Sequence, residues 1–122
     1  MKVEISNGEI LDRISILEIK KLNMLDADNL ANVEKEFQLL NPGVVDIFTK
    51  NGKEIKALFL ELSKVNNILW ELENKVREEE ISDKEFRVSS KRIFKYNEVR
   101  NQLKNDINII SGSNFKNVKE YR

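Results

Sequence analysis

Polar side chains stand at several positions where helical spacing calls for apolar ones, and there this chain could do chemistry. Glu18 lies inside the arc expected of Leu11, Ile14 and Leu22, and Arg100 takes a seam position between Tyr96 and Leu103. Asn66, Trp70 and Glu73 line one flank at i, i+4 and i+7, joined more than a turn earlier by Phe59. A matching flank further on carries Ser90, Asn97, Lys104 and Asn108. Cationic side chains hold an anion, an indole offers a stacking face, and amides and carboxylates supply directed hydrogen bonds. If they converge, Glu18, Asn66, Trp70, Glu73, Asn97, Arg100 and Lys104 form a pocket for a small polar or anionic ligand. The plainer expectation is structural. A carboxylate and a guanidinium in a core usually pair, because leaving either alone costs several kcal/mol, so Glu18 and Arg100 would simply fix register. Trp70 would then be a core-edge residue with its indole N–H on an acceptor.

Much other chemistry is excluded by residue type. The chain has no histidine and no cysteine, which removes the commonest general base, the thiol nucleophile, ordinary zinc sites and disulfides. Four scattered glycines make no phosphate-cradling loop or dinucleotide fingerprint. Carboxylates three apart, as a helical magnesium site needs, occur at Glu9 and Asp12 and at Glu80 and Asp83. The second pair spans a helix break, and Glu78-Glu79-Glu80 reads as a solvated helix end. No catalytic residue, metal ligand or cofactor is therefore assigned, and the balance leans away from an enzyme. Lys+Arg and Asp+Glu both number 21, and no basic cluster is interleaved with aromatics, so a nucleic-acid partner is not expected. No apolar run suits a membrane span or a secretory leader, which makes the cytoplasm the expected location. Heavy use of Lys, Asn and Ile suggests an AT-rich genome, bacterial or viral.

The elements that must position these residues are helices. Ser6-Asn7-Gly8-Glu9 is a capping box, and Ile10, Leu11, Ile14, Leu17, Leu22 and Leu25 follow at helical spacing. Ile16 and Ile19 fall on the opposite side, so this helix (about 7–25) is expected to be covered on two faces. A second helix, about 28–40, starts at Asp26 or Asp28 and buries Leu30, Val33, Phe37 and Leu40. Pro42 is expected to end it, leaving 41–52, bracketed by Asn41-Pro42-Gly43 and Asn51-Gly52, as an irregular or single-turn connector in preference to a short hairpin of Val44, Val45, Ile47 and Phe48. Ile55, Leu58, Leu62, Val65, Leu69, Leu72 and Val76 form an unbroken heptad stripe in a third helix, about 53–80. A second box, Ser82-Asp83-Lys84-Glu85, opens a fourth at about 83–111, whose seam reads Phe86, Ser89, Ile93, Tyr96, Arg100, Leu103, Ile107 and Ile110. The short link makes the last two an antiparallel hairpin. The whole is an all-α, four-helix arrangement in a single domain of residues 1–122, with 112–122 as a C-terminal tail. Leu60, Phe59 and Ile68 lie outside the main seam, which suggests cover from the N-terminal helices or from a second subunit.

Three stretches also carry a resemblance. They are Ile10-Leu11-Asp12-Arg13-Ile14-Ser15-Ile16-Leu17-Glu18-Ile19-Lys20 with Leu30-Ala31-Asn32-Val33; Val65-Asn66 with Leu69-Trp70 and Glu73; and Asn97-Glu98 with Arg100, Leu103-Lys104, Ile107-Asn108, Ser111-Gly112-Ser113 and Lys119-Glu120-Tyr121. In these the chain resembles a small family of uncharacterised bacterial and phage proteins, a domain of unknown function, over about two-thirds of its length. Lys in that pattern is replaced here by Arg13, Asp by Glu98, and the segment from Pro42 to Lys53 does not match. The family resembles accessory proteins found near surface-glycan enzymes, so the resemblance implies an accessory role and no reaction. Two functions are carried forward. One is a helical accessory or protein-interaction module, with a protein partner or a homodimer. The other is a small-molecule binder or enzyme, for nucleotides or activated sugars, using the polar stripe.

Overall fold

The computed structural model describes residues 5–113 of the chain. Three α-helices account for nearly all of them: α1, Asn7–Asn23; α2, Ala27–Val76; and α3, Asp83–Ile110. No strand occurs among the described residues. The 114–122 part of the expected tail, with Lys119-Glu120-Tyr121, lies outside them.

Helix α2 is where expectation and structure part. Four helices were expected and three are found, because the two central ones are one 50-residue element that includes the anticipated 41–52 connector. Pro42 sits inside it. The proline removes a ladder hydrogen bond and costs about 3 kcal/mol. Phe37, Leu40, Val44 and Ile47 nevertheless continue one helical stripe straight through it. Val44 and Ile47 are core residues, with Phe37, Leu40 and Phe48 packed against the same cluster. Burial of a Val or Ile is worth about 1.5–3 kcal/mol each, so the stripe outweighs the proline.

The real break is Gly52, at φ 68 and ψ −143. Phe48 and Phe59 show what it does. Eleven residues of straight helix would hold them about 16 Å apart, yet their rings meet edge to face at 5.5 Å. The chain therefore reverses at Gly52 and folds α2 into two limbs, 27–51 and 53–76. Asn51 ends the first limb by donating from Nδ2 to the Ile47 carbonyl at 2.8 Å. Apart from the adjacent chain, no atom lies within 4 Å of where a Gly52 Cβ would stand, so conformation is what opposes a side chain there. Gly52→Ala is expected to lower stability by about 1–3 kcal/mol in urea unfolding, with no change in helix content.

The first limb runs back along α1: Lys21 Nζ pairs with Glu34 at 2.8 Å and lies over the Phe37 ring, while Gly43 faces Ile10. The second limb runs up beside α1, and α3 comes down against both. Leu11, Ile14, Val44, Ile47, Ile55, Leu62 and Ile107 form the common core. Leu22 and Leu25, expected on the buried stripe of α1, are almost fully exposed. The inward arc rotates onto Asp12, Ser15 and Ile19 instead.

The helix ends are tied to one another. Ser6 Oγ accepts from the Glu9 N–H at 3.2 Å, but the Glu9 carboxylate turns to Lys104 at 2.7 Å, so the box is only half formed. The remaining α1 donors are met from α3: Gly8 N–H donates to Asn108 Oδ1 at 2.7 Å and Asn7 N–H to Ser113 Oγ at 3.2 Å. Gly112, at φ 67, makes this reach feasible. It ends α3 in a Schellman turn, with Ser113 N–H on the Asn108 carbonyl and Gly112 N–H on that of Ile109. Ser111 and Ser113 then face the start of α1, where Asn7 Nδ2 donates to Ser111 Oγ at 2.9 Å.

Candidate functional site

The centre of the polar stripe is Asp12, only 1% exposed. Its position on α1 faces the second limb of α2 and α3 together, and both supply donors. Arg100 forks onto it, Nε donating to Oδ1 at 2.9 Å and Nη2 to Oδ2 at 2.6 Å. Asn66 Nδ2 donates to Oδ1 at 2.9 Å and to Ser15 Oγ at 2.6 Å. Ser15 Oγ in turn donates to the Asp12 carbonyl at 2.8 Å. Lys104 Nζ stands 3.8 Å from Oδ2 while bonded to Glu9. A buried carboxylate is tolerable when its lone pairs are filled and a planar guanidinium neutralises it, and both conditions hold here. The hydrogen bond to Asp12 holds the Arg100 guanidinium above its ordinary range, against desolvation and with help from the Asp12, Glu9 and Glu73 charges.

The expected site is thus partly assembled. Asn66 and Arg100 meet, but around Asp12 rather than Glu18. Six positions along α1 place Asp12 and Glu18 about 120° apart on the helix, and Arg100 meets Asp12. Glu18 is exposed, and partial desolvation raises its carboxyl from the usual range while Lys21 opposes the shift. Lys104 joins the cluster through Glu9. Asn97 is half-buried on α3 and takes no part in these hydrogen bonds. Trp70 and Glu73 lie just beyond, on a groove between α1, the second limb of α2 and α3.

That groove encloses about 320 Å³. Ile16, Ile19 and Leu69 give it an apolar lining, Asn66 and Arg100 close one side, and Trp70, Glu73, Asn74, Arg77 and Lys20 complete it. Ser15, Lys20, Asn74 and Arg77 are not among the sequence candidates, and Asp12 enters there only as half of a carboxylate pair with Glu9. The signal for Asp12 and Ser15 is present in the sequence: with half-buried Ile16 and buried Ile19 they follow the i, i+3, i+4, i+7 pattern of a second inward face.

Fold and site define an all-helical domain whose helices are pinned by one buried carboxylate with a polar groove beside it. The chain belongs to a family of unknown function, DUF6165, whose model matches residues 1–122. That agrees with the uncharacterised domain implied by the three motif stretches. No curated protein and no solved structure matches the chain. Among the described residues no helix is long and apolar enough to cross a membrane.

Proposed function

We propose that the protein is a homodimeric helical interaction module, assembled through the face of α3 that its own core leaves open. One observation carries this reading. Val88, Val99 and Ile110 are all exposed, and they recur every eleven residues, the spacing that keeps side chains in a nearly straight line along a helix. The stripe lies on the flank of α3 opposite the arc that Arg100, Lys104 and Asn108 turn toward α1. Half-buried Leu103 borders it, and Arg92, Lys95 and Asp106 are interspersed along it.

The charges choose the partner and its direction. In an antiparallel pair centred on Val99, Val88 faces Ile110 of a second copy, Arg92 faces Asp106, and Lys95 lays its stem along Leu103. Two-fold symmetry makes each of these contacts twice. A parallel pair would set Arg92 against Arg92 and Asp106 against Asp106. The 28 residues of α3 extend about 42 Å, long enough for a side-by-side helix contact of the size a stable dimer uses, about 800 Å² per partner.

Analytical ultracentrifugation tests this. The wild-type chain is expected to sediment as a dimer at about 10 µM. Val99→Arg sets two guanidiniums face to face and gives a monomer with unchanged helicity. Asp106→Arg also gives monomer, and the exchange Arg92→Asp with Asp106→Arg restores the dimer. A monomeric wild type, or a dimer indifferent to Val99→Arg, overturns the proposal.

A further inference from the structure

The groove beside Asp12 combines three features that share one kind of ligand. Trp70 offers an aromatic face and is the chain's single tryptophan. At one end, Arg100 is committed to Asp12 and has Glu73 as a further counter-charge. At the other end, Lys20 and Arg77 contribute two positive charges, and neither has an ion-pair partner within 4 Å among the described residues. The cations of the groove therefore differ: Arg100 is ion-paired, while among the described residues Lys20 and Arg77 are not. In a chain of zero net charge, that difference is a local feature and not a reflection of overall composition.

The geometry points to a binding site for an aromatic-ring organic phosphate of nucleoside monophosphate size. The ring stacks on Trp70, the phosphate takes charge-assisted hydrogen bonds from Lys20 and Arg77, and Asn66, Asn74 and Glu73 are placed to read the polar edge between them. A volume of about 320 Å³ lies at the small end of ligand pockets, which run from about 300 to 1,000 Å³. That selects a mononucleotide over a dinucleotide or a peptide. Glu73 adds discrimination, because an anion placed at the Arg100 end meets its carboxylate. The ligand orientation is fixed accordingly, phosphate toward Arg77. This site lies on the α1 side of the bundle and is independent of dimerisation through α3.

Trp70 makes the test direct, since its fluorescence comes from the site itself. Titration with nucleoside monophosphates is expected to give a saturable change with a dissociation constant between about 1 µM and 1 mM. The matching nucleosides and inorganic phosphate are each expected to bind at least about tenfold more weakly, because each lacks one of the two anchors. Arg77 is exposed and without an ion-pair partner, so Arg77→Ala is expected to leave the melting curve unchanged while weakening binding by about tenfold or more. Lys20→Ala should act in the same direction. No saturable response to any nucleoside monophosphate overturns the proposal. So does equal affinity for a sugar phosphate lacking an aromatic ring, or a titration unchanged by Arg77→Ala.

Discussion

Replacing Asp12 with alanine lowers the unfolding free energy by about 3–5 kcal/mol, a large share of the roughly 5–15 kcal/mol that holds a domain folded. The variant strands the Arg100 guanidinium without its two acceptors, takes one acceptor from Asn66, and leaves Lys104 with Glu9 alone. Arg100 is 27% exposed and regains some water, which pulls the loss toward the lower end. Arg100→Met is expected to be no milder, because the carboxylate it abandons is 1% exposed and has less access to solvent. Arg100→Lys should not rescue, since a point charge cannot reproduce the two-pronged fork. The decisive measurement is a double-mutant cycle by chemical denaturation. Asp12→Ala with Arg100→Met should lose less than the sum of the single losses, by at least about 1 kcal/mol, because the second change removes the charge that the first left unpaired. Strict additivity would mean that the fork contributes nothing to stability.

This result would also decide what the misplaced polar residues are for. Their types and spacing marked them as unusual, and most of them do gather in one region. The choice between a structural pair and a ligand site depended on which carboxylate Arg100 meets. On the wheel Leu22 and Leu25 share the arc of Leu11 and Ile14, but at the end of α1 both are exposed. In the middle of α1 the buried arc extends to Asp12 and Ser15, while Glu18, nearer the helix end, is exposed. The structural pair exists, but with Asp12. The groove is a separate feature whose cationic end, Lys20 and Arg77, looks in sequence like ordinary surface charge.

A similar competition shaped the reading of the fold. Capping serines at 6 and 82 and the heptad stripe before residue 80 were plain, because they are local signals with local causes, whereas the expected seam after it overreaches at both ends, where Phe86 and Ile110 are exposed. Pro42 was a local signal that lost to a tertiary one, the burial of Val44 and Ile47. Asn51-Gly52, by contrast, marks the reversal correctly, since a positive φ is a requirement that packing cannot remove. The connection between the start of α1 and the end of α3 through Asn108, Ser111 and Ser113 was not legible. It pairs residues about a hundred positions apart, and nothing in either segment alone names the other.

That connection sets up the second large effect, at Gly8. A Cβ there would lie 2.3 Å from the Lys104 carbonyl oxygen and 3.0 Å from Asn108 Oδ1. The first is backbone in the middle of α3, so a rotamer change cannot relieve the contact, and α1 must move away from α3. Moving it loosens the bond from Gly8 N–H to Asn108 and strains the neighbouring contacts to Ser111, Ser113 and Lys104. Gly8→Ala is therefore expected to destabilise by about 2–4 kcal/mol, even though alanine is the better helix former. Gly43 supplies the control. A Cβ at that position would meet only Ile10 at 3.5 Å, an ordinary contact, so Gly43→Ala is expected to stabilise by about 0.5–1 kcal/mol. The same substitution in two helical glycines should thus act with opposite signs in urea unfolding. Equal signs would mean that α1 does not approach α3 closely enough for Gly8 to be required. Hydrogen exchange gives a second readout, since Gly8→Ala should speed exchange at the first turn of α1 and the last turn of α3 together. The small residue at position 8 lets the two helices come close enough for Asp12 to reach Arg100, and for the groove beside them to have walls.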